Sequence, residues 1–360
     1  MRFLKNPLFW IGLLISLGAL LLAFRGLHWA EVGSALRHAN YFLLLPAAIV
    51  MFFSLYFRAI RWGVLFHPRT HLRVGNLMGT MNIGYSVNNL LPLRVGELVR
   101  AYLIGEAEGV SAAHALSTIV VERVLDVLTV ALMLILLLPF VDVPAWAATP
   151  AVVAGVGFLV LAVLLATLSL ARQWALAVVD WCARLLPARH RGRLREGAGA
   201  VMEGFGVLSK PAVLASSVGW SFASWFCSAL MMYFVQQAFD LGVGFEAAPF
   251  VLATTSLAML VPASPGYIGT FELVAIKGLE NVFDASRSAA ASYALAQHAF
   301  LYLAPMIIAG TYLWKQHIPW RRLTTRPEWR VQDTEAMVES PAGGGLQVEE
   351  EHTGRGRAGT

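Results

Sequence analysis

The sequence predicts an all-α polytopic membrane protein: about six full transmembrane helices plus two re-entrant broken-helix hairpins, eight membrane segments forming an inverted repeat. Three observations predict it. The chain of 360 residues is 58% hydrophobic and 14% charged, with a mean hydropathy of +0.64, so polar surface is too scarce to cover a globule in water and lipid must act as solvent. Apolar runs recur near 7–24, 41–57, 115–138, 149–171, 211–239 and 288–314, each close to the ~20 residues that cross ~30 Å of hydrocarbon. Two further apolar stretches, near 76–93 and 248–263, end in matching breaks, Pro92-Leu93-Arg94-Val95-Gly96 and Pro265-Gly266-Tyr267-Ile268-Gly269, each followed by Glu-Leu-Val at Glu97 and Glu272.

The first run follows Arg2 and Lys5 and could pass for a secretory signal, but Arg25, His28 and Trp29 stand where a small-x-small cleavage site would be needed. The helix is expected to stay in the mature chain. Cys182 and Cys227 fall in different elements and read as small packing residues, with neither disulfide nor metal spacing. The second run ends in Arg58-Ala59-Ile60-Arg61-Trp62. Two roles fit Arg58 and Arg61: interfacial anchors of a helix end, or contacts to a lipid headgroup.

Charge decides how the two broken stretches thread. If both enter and leave on one side and the N-terminus is cytoplasmic, about 20 basic residues lie inside against about four outside, in line with the positive-inside rule. If both cross, the count is about 11 against 13. Re-entrant hairpins are therefore expected, with Pro92, Gly96, Pro265, Gly266 and Gly269 as the hinge positions and both chain ends inside. The hairpins then enter from opposite faces. Span, hairpin and span repeat with inverted topology, and a pair of interrupted helices in matching halves points to a transport site.

The first hairpin holds the densest chemistry, Asn88-Asn89-Leu90-Leu91-Pro92-Leu93-Arg94-Val95-Gly96-Glu97-Leu98-Val99-Arg100. A helix resuming after Pro92 would set Arg94, Glu97 and Arg100 on one face. Free amide N–H groups and two arginines there suit an anionic group such as a phosphate; a solvated interfacial segment is the plainer alternative. The following span carries Glu122, Arg123 and Asp126. Three unpaired charges facing lipid would cost roughly 8–10 kcal/mol, so the cluster is expected inside the protein. It either contacts substrate or pins the hairpin to the helix.

In the second half, Glu272 follows the glycine-rich break and could carry a proton or cap the restarted helix. Gln297 and His298 take the place that Glu122 and Arg123 hold in the first half, and His298 reads more readily as an interhelical hydrogen-bonder than as a proton relay. The stretch 172–210, with seven basic and three acidic residues among Trp174, Trp181, Leu185 and Leu186, reads as an amphipathic helix on the cytoplasmic leaflet. The membrane domain is expected over 1–318, and the polar tail over 319–360 is expected to be largely disordered and cytoplasmic.

Four motifs in order, Arg58-x-x-Arg61-Trp62, Asn88-Asn89-x-Leu91-Pro92-x-Arg94-x-Gly96-Glu97-x-x-Arg100, Glu122-Arg123-x-x-Asp126 and Pro265-Gly266-x-x-Gly269-x-x-Glu272, resemble the lysylphosphatidylglycerol synthase transmembrane, flippase-like family, also called UPF0104, across residues 7–318. The resemblance implies a multi-pass inner-membrane protein that moves a modified lipid between leaflets. Some relatives are associated with polyprenyl-phosphate sugar or hopanoid pathways. It does not extend to the soluble synthetase domain that the lysyl-phosphatidylglycerol resistance proteins of this family carry, nor to the arginine that the family often has in the last span, where Gln297 and His298 stand.

The expected function is movement of an anionic or modified phospholipid, or a polyprenyl-phosphate-type lipid, between leaflets, without catalysis and without a cofactor. The expected ligands are membrane lipids with an anionic headgroup, bound by Arg58, Arg61, Asn88, Asn89, Arg94, Glu97, Arg100, Glu122, Arg123, Asp126 and Glu272. A membrane enzyme or accessory subunit transferring a sugar or aminoacyl group to lipid is the first alternative, and a non-transporting scaffold the second. A separate lipid-modifying enzyme and a second copy of the chain are the protein partners considered. The basic balance follows from topology and calls for no nucleic acid.

Overall fold

The computed structural model describes residues 7–67, 72–91, 94–183, 188–261 and 264–317. Pro92 and the tail over 319–360, both singled out above, lie outside them. The described residues up to Lys315 belong to one compact unit. Among the described residues every regular element is helical: α1 (Pro7–Phe24), α2 (Trp29–His38), a 3-10 turn (Tyr41–Leu43) leading into α3 (Leu44–Val64), α4 (Val74–Leu90), α5 (Gly96–Glu108), α6 (Ala112–Leu137), α7 (Ala145–Leu170), α8 (Arg172–Ala183), α9 (Ala188–Phe205), α10 (Pro211–Ala238), α11 (Ala247–Ala258), α12 (Thr270–Phe283) and α13 (Arg287–Lys315).

Four helices are long and apolar enough to cross a membrane, Tyr41–Val64, Ala145–Leu170, Pro211–Ala238 and Arg287–Lys315, or five if α1 and α2, bent by 84°, count as one span. Helix α6 has 26 residues but carries Glu122, Arg123 and Asp126 at its middle, so composition alone does not mark it. Its charges sit inside protein, with Glu122 fully buried. Helix α7 is the opposite case: only 11% of its apolar stretch is buried, and Val153, Val156, Val160 and Val163 face outward.

The strongest pairing, α3 on α10, follows from spacing. Ser217, Ser221, Ser224 and Ser228 recur at intervals of four, three and four, so they share one face of α10, and all four are buried. Small residues there let the backbones approach closely. Ser54 on α3 donates to the Ser224 carbonyl at 2.9 Å and lies 2.8 Å from the Ser228 hydroxyl. The pair runs antiparallel, because Asn40 N–H donates to the Ala238 carbonyl at 2.8 Å at one end while His67 lies 3.0 Å from Lys210 at the other.

Each broken stretch is a helical hairpin. In the first, Asn76 on α4 reaches Glu108 at the far end of α5 at 2.7 Å, and Gly84 sits against Gly96 near the tip. In the second, Gly278 on α12 packs on Phe250 and Val251 of α11. The first hairpin starts beyond the C-terminal end of α3 and the second beyond that of α10. Since α3 and α10 are antiparallel, the hairpins start from opposite ends of the pair. Their packing is exchanged between halves: α4 lies on α13, and α11 lies on α6.

The segment after α1 is the short helix α2, which packs on α13 through Val32 and Ser292. One feature departs from expectation. The basic stretch 172–210 forms two helices that pack together, and α9 lies against α6 so closely that a Cβ at Gly204 would fall 1.8 Å from the Ser117 hydroxyl. Protein contacts therefore hold α9.

Candidate functional site

The first break places its residues differently from the sequence pattern. Helix α5 restarts at Gly96, leaving Arg94 ahead of it in left-handed backbone at φ 52°. Arg94, Glu97 and Arg100 therefore do not share a face. Gly96 is required by a close approach: a Cβ there would lie 2.0 Å from the Gly84 carbonyl oxygen. Asn88 closes the turn by accepting from Gly96 N–H at 2.8 Å. In the second break Gly266 has φ 70°, Tyr267 φ 60° and Gly269 φ 94°. Glu272 caps α12 there, accepting from Gly269 N–H at 2.7 Å.

The two tips meet. Arg94 Nε–H donates to the Tyr267 hydroxyl at 2.7 Å, its Nη2 donates to the Met259 carbonyl, and its guanidinium lies 5.7 Å from the Tyr267 ring centre. Beside this junction is a cavity of about 390 Å³. Arg58, Asn88, Asn89, Arg94, Glu97, Arg123 and Asp126 line it, with Tyr85, Trp225, Tyr267, His298 and Tyr302. Apolar walls come from Met51 and Leu55 on α3, Val127 and Val130 on α6, Phe158 on α7, Met231 and Met232 on α10, Leu252 and Leu257 on α11, and Leu301 on α13.

Behind the cavity wall lies an ion-pair cluster. Glu122 accepts from Arg100 Nη2 at 2.6 Å and from Arg123 Nη2 at 2.9 Å, with Arg61 Nη2 at 3.3 Å. Asp126 Oδ1 accepts from Arg61 Nη1 at 2.6 Å and Trp225 Nε1 at 3.0 Å. Arg61 also donates to the Ser221 hydroxyl at 2.9 Å. Arg100 lies over the Trp62 ring at 3.6 Å, and Trp62 donates to Thr118 at 3.0 Å. The cluster thus ties α3, α5, α6 and α10 together.

The expected site therefore divides. Arg58, Asn88, Asn89, Arg94, Glu97, Arg123 and Asp126 reach the cavity, whereas Arg61, Arg100, Glu122 and Glu272 do not line it. Arg61 and Trp62 are fully buried rather than interfacial. They differ from the anchoring role because α3 continues to Val64 and turns both side chains into the protein. Of the cavity charges, two remain least committed. Arg58 makes no hydrogen bond among the described residues; its guanidinium rests 4.6 Å from the Trp225 ring centre and 3.8 Å from Asp126. Glu97 has no hydrogen bond or ion pair among the described residues.

Tyr267, Trp225, Tyr302 and Tyr85 are cavity residues that sequence reasoning did not select. Tyr267 sits inside a motif it did select, so a polar aromatic at a helix break was the available signal. Nothing in the local sequence marks Trp225. Among the described residues no group of three or more His, Cys, Asp or Glu could hold a metal ion.

The sequence profile of the family described as "Lysylphosphatidylglycerol synthase TM region" matches residues 9–309. A "UPF0104 membrane protein" of Methanothermobacter thermautotrophicus is 28% identical over 265 residues, which cover 68% of this chain and 77% of that protein. A protein of Haloferax volcanii named "Glycosyltransferase AglD" is 31% identical over 121 residues, covering 33% of this chain and only 19% of that longer protein. No solved structure matches the chain. With most of its length matched, the chain belongs to the lysylphosphatidylglycerol synthase TM region family.

Proposed function

We propose that the chain moves a lipid with an anionic or modified headgroup between the leaflets of the cell inner membrane, without catalysing a reaction on it. The cavity at the meeting point of the two hairpins carries this reading, because its lining is amphiphilic in the way a lipid is. Arg58 and Arg94 would hold a phosphate, Glu97 would accept a cationic substituent of a modified headgroup, and the methionine, leucine and valine walls would take acyl or prenyl chain. Three arginines, Arg58, Arg94 and Arg123, outnumber the two carboxylates Glu97 and Asp126, which favours an anion.

The topology in this reading is eight membrane segments in an inverted repeat, with both chain ends cytoplasmic. It is supported by the antiparallel α3 and α10, by hairpins that start from their opposite ends, and by the exchanged packing of α4 on α13 and α11 on α6. Such an arrangement lets one site open to either face in turn. A leaflet assay in proteoliposomes with fluorescent phosphatidylglycerol tests it. Arg58→Ala and Arg94→Ala are expected to slow probe movement about tenfold or more, the loss of a charge-assisted contact, while Arg25→Ala, at an exposed position, leaves it unchanged. Parent-like rates in both cavity variants would sink the site assignment.

A second reading, an accessory subunit or membrane enzyme in the transfer of a sugar to lipid, draws on the relative named as a glycosyltransferase. Glu97 is then the cavity carboxylate to test. Turnover of a lipid-linked sugar by the purified protein, lost in Glu97→Gln, would favour it over transport.

A further inference from the structure

Glu122 and Glu272 are each buried, and each joins a hairpin's second arm to the long helix that follows. Their partners differ in kind. Glu122 is neutralised by the arginines Arg100, Arg123 and Arg61, which do not release protons. Glu272 meets no arginine or lysine among the described residues; it meets His298.

Hydrogen bonding fixes how many protons this pair holds. His298 Nε2 is 2.9 Å from the Gly266 carbonyl oxygen, which can only accept, so Nε2 carries a hydrogen. His298 Nδ1 contacts Glu272 Oε1. With a neutral ring and an ionised carboxyl, both of these atoms would present lone pairs, so the contact needs one more proton, on the ring or on the carboxyl. In either form the pair is neutral overall and holds one exchangeable proton. Because Glu272 Oε2 accepts from Gly269 N–H at 2.7 Å, the pair grips the second break at both Gly266 and Gly269. His298 lines the cavity.

We propose that Glu272 and His298 form a proton-binding site on the cavity wall, whose occupancy holds the second hairpin break closed and whose discharge frees it, so that lipid movement draws on a proton gradient. On discharge the proton passes to water or an acceptor oxygen in the cavity. The ring keeps its Nε2 hydrogen, the carboxylate keeps its charge, and the two facing lone pairs part. The proton site stands on hydrogen-bond geometry; only its coupling to lipid rests on the transport reading.

The surroundings leave the proton as the charge that varies. Tyr302 faces the His298 ring at 5.0 Å and Phe271 packs on it at 4.7 Å. Tyr267 stands in the break, with Arg94 bonded to its far side. Of the helices packed on α12 and α13, α1 and α11 contain no charged residue, α4 has Tyr85, α10 has Cys227 and Tyr233, and α3 has Tyr56, Arg58 and Arg61. Helix α2 brings Glu31, Arg37 and His38, with His28 just ahead of it, beside the end of α13 that holds Ser292.

Glu272→Gln is the decisive variant: its amide oxygen can accept from Gly269 N–H and its amide N–H can donate to His298 Nδ1, so the break stays gripped with no proton to lose. Proteoliposomes of phosphatidylglycerol and phosphatidylethanolamine, carrying fluorescent phosphatidylglycerol, are placed under an imposed pH gradient. The parent's rate is expected to change several-fold with the sign of the gradient, and the rate of Glu272→Gln, eluting like the parent on size exclusion, to be indifferent to it. A parent indifferent to the gradient, or a variant as sensitive as the parent, overturns the coupling. Infrared difference spectra of the solubilised protein between acid and alkaline pH give the second readout. A carboxyl or imidazole band present in the parent and missing from Glu272→Gln is expected; its absence from the parent overturns the proton site whatever the lipid does. If the band is found and no probe lipid moves, the transport reading and the proposed coupling both fail, and the proton site alone stands.

Discussion

Arg94 and Tyr267 stand 173 positions apart in the chain, both in left-handed backbone at φ 52° and 60°, and are joined by a 2.7 Å hydrogen bond from Nε–H to the phenol oxygen. Left-handed backbone is costly for residues with a Cβ and persists where the surroundings over-determine it. Here each break holds the other in that state. The junction is also the cavity's polar wall, so backbone strain and ligand chemistry occupy the same few residues.

Tyr267→Phe is therefore expected to loosen both breaks. The ring remains, the acceptor is lost, and a hydrogen bond to a charged donor goes with it, at a cost of about 1.5–3 kcal/mol. Hydrogen exchange followed by mass spectrometry should show faster exchange in peptides covering 94–100 and 264–270 together. Faster exchange in the second peptide alone would mean that the tips are not coupled.

The buried cluster sets a different expectation. Arg61 is fully buried and serves Glu122, Asp126 and Ser221 at once. Arg61→Met leaves two carboxylates short of a partner, and breaking a buried pair from one side costs about 3–5 kcal/mol. Thermal unfolding in detergent should show a large drop in midpoint for Arg61→Met, recovered in part by Arg61→Met with Asp126→Asn. If the single variant unfolds like the parent, the cluster is not what fastens α3 to α6.

These two groups of residues show what the sequence could and could not disclose. Lipid as solvent was legible, because apolar length and scarce charge act on each segment separately. So was the interior position of Glu122 and Asp126, because the cost of charge in hydrocarbon does not depend on tertiary detail. Arg61 was misread for the complementary reason. An arginine-tryptophan pair near the end of an apolar run has a good local explanation as an anchor, and only the packing of α3 with α10 and α6 shows that Ser221 and Asp126 lie opposite. Arg94 was placed on a helix face because proline favours a restarted helix, whereas the close approach of Gly84 and Gly96 delays the restart. The Glu272–His298 contact joins two helices, and spacing along the chain says nothing about it.

Gly96 isolates that close approach. A Cβ at Gly96 would meet the Gly84 carbonyl oxygen at 2.0 Å and Asn88 Oδ1 at 2.6 Å, while one at Gly18 would meet nothing within 4 Å. Gly96→Ala must then push the hairpin arms apart or displace the Asn88 cap, at about 1–3 kcal/mol or more. Gly18→Ala is expected to be neutral. Comparing the folded fraction of the two variants by size exclusion in detergent checks the difference, and equal yields would mean that the arms do not meet at these glycines.

The opposed entry of the hairpins makes the most direct topological expectation. Glu106 lies near the end of the first hairpin's returning arm and Asn281 near the end of the second's, and both positions are exposed. Because the hairpins start from opposite ends of the antiparallel α3 and α10 pair and each folds back on itself, their returning arms finish on opposite sides. In the proposed topology, with both chain ends cytoplasmic, the positive-inside rule puts the Glu106 side in the cytoplasm. With Cys182 and Cys227 replaced by serine, Glu106→Cys in intact cells should resist an impermeant thiol reagent until the membrane is opened, and Asn281→Cys should react at once. Labelling of both from the same side would require one hairpin to cross the bilayer, which would remove the alternating access on which the transport reading depends.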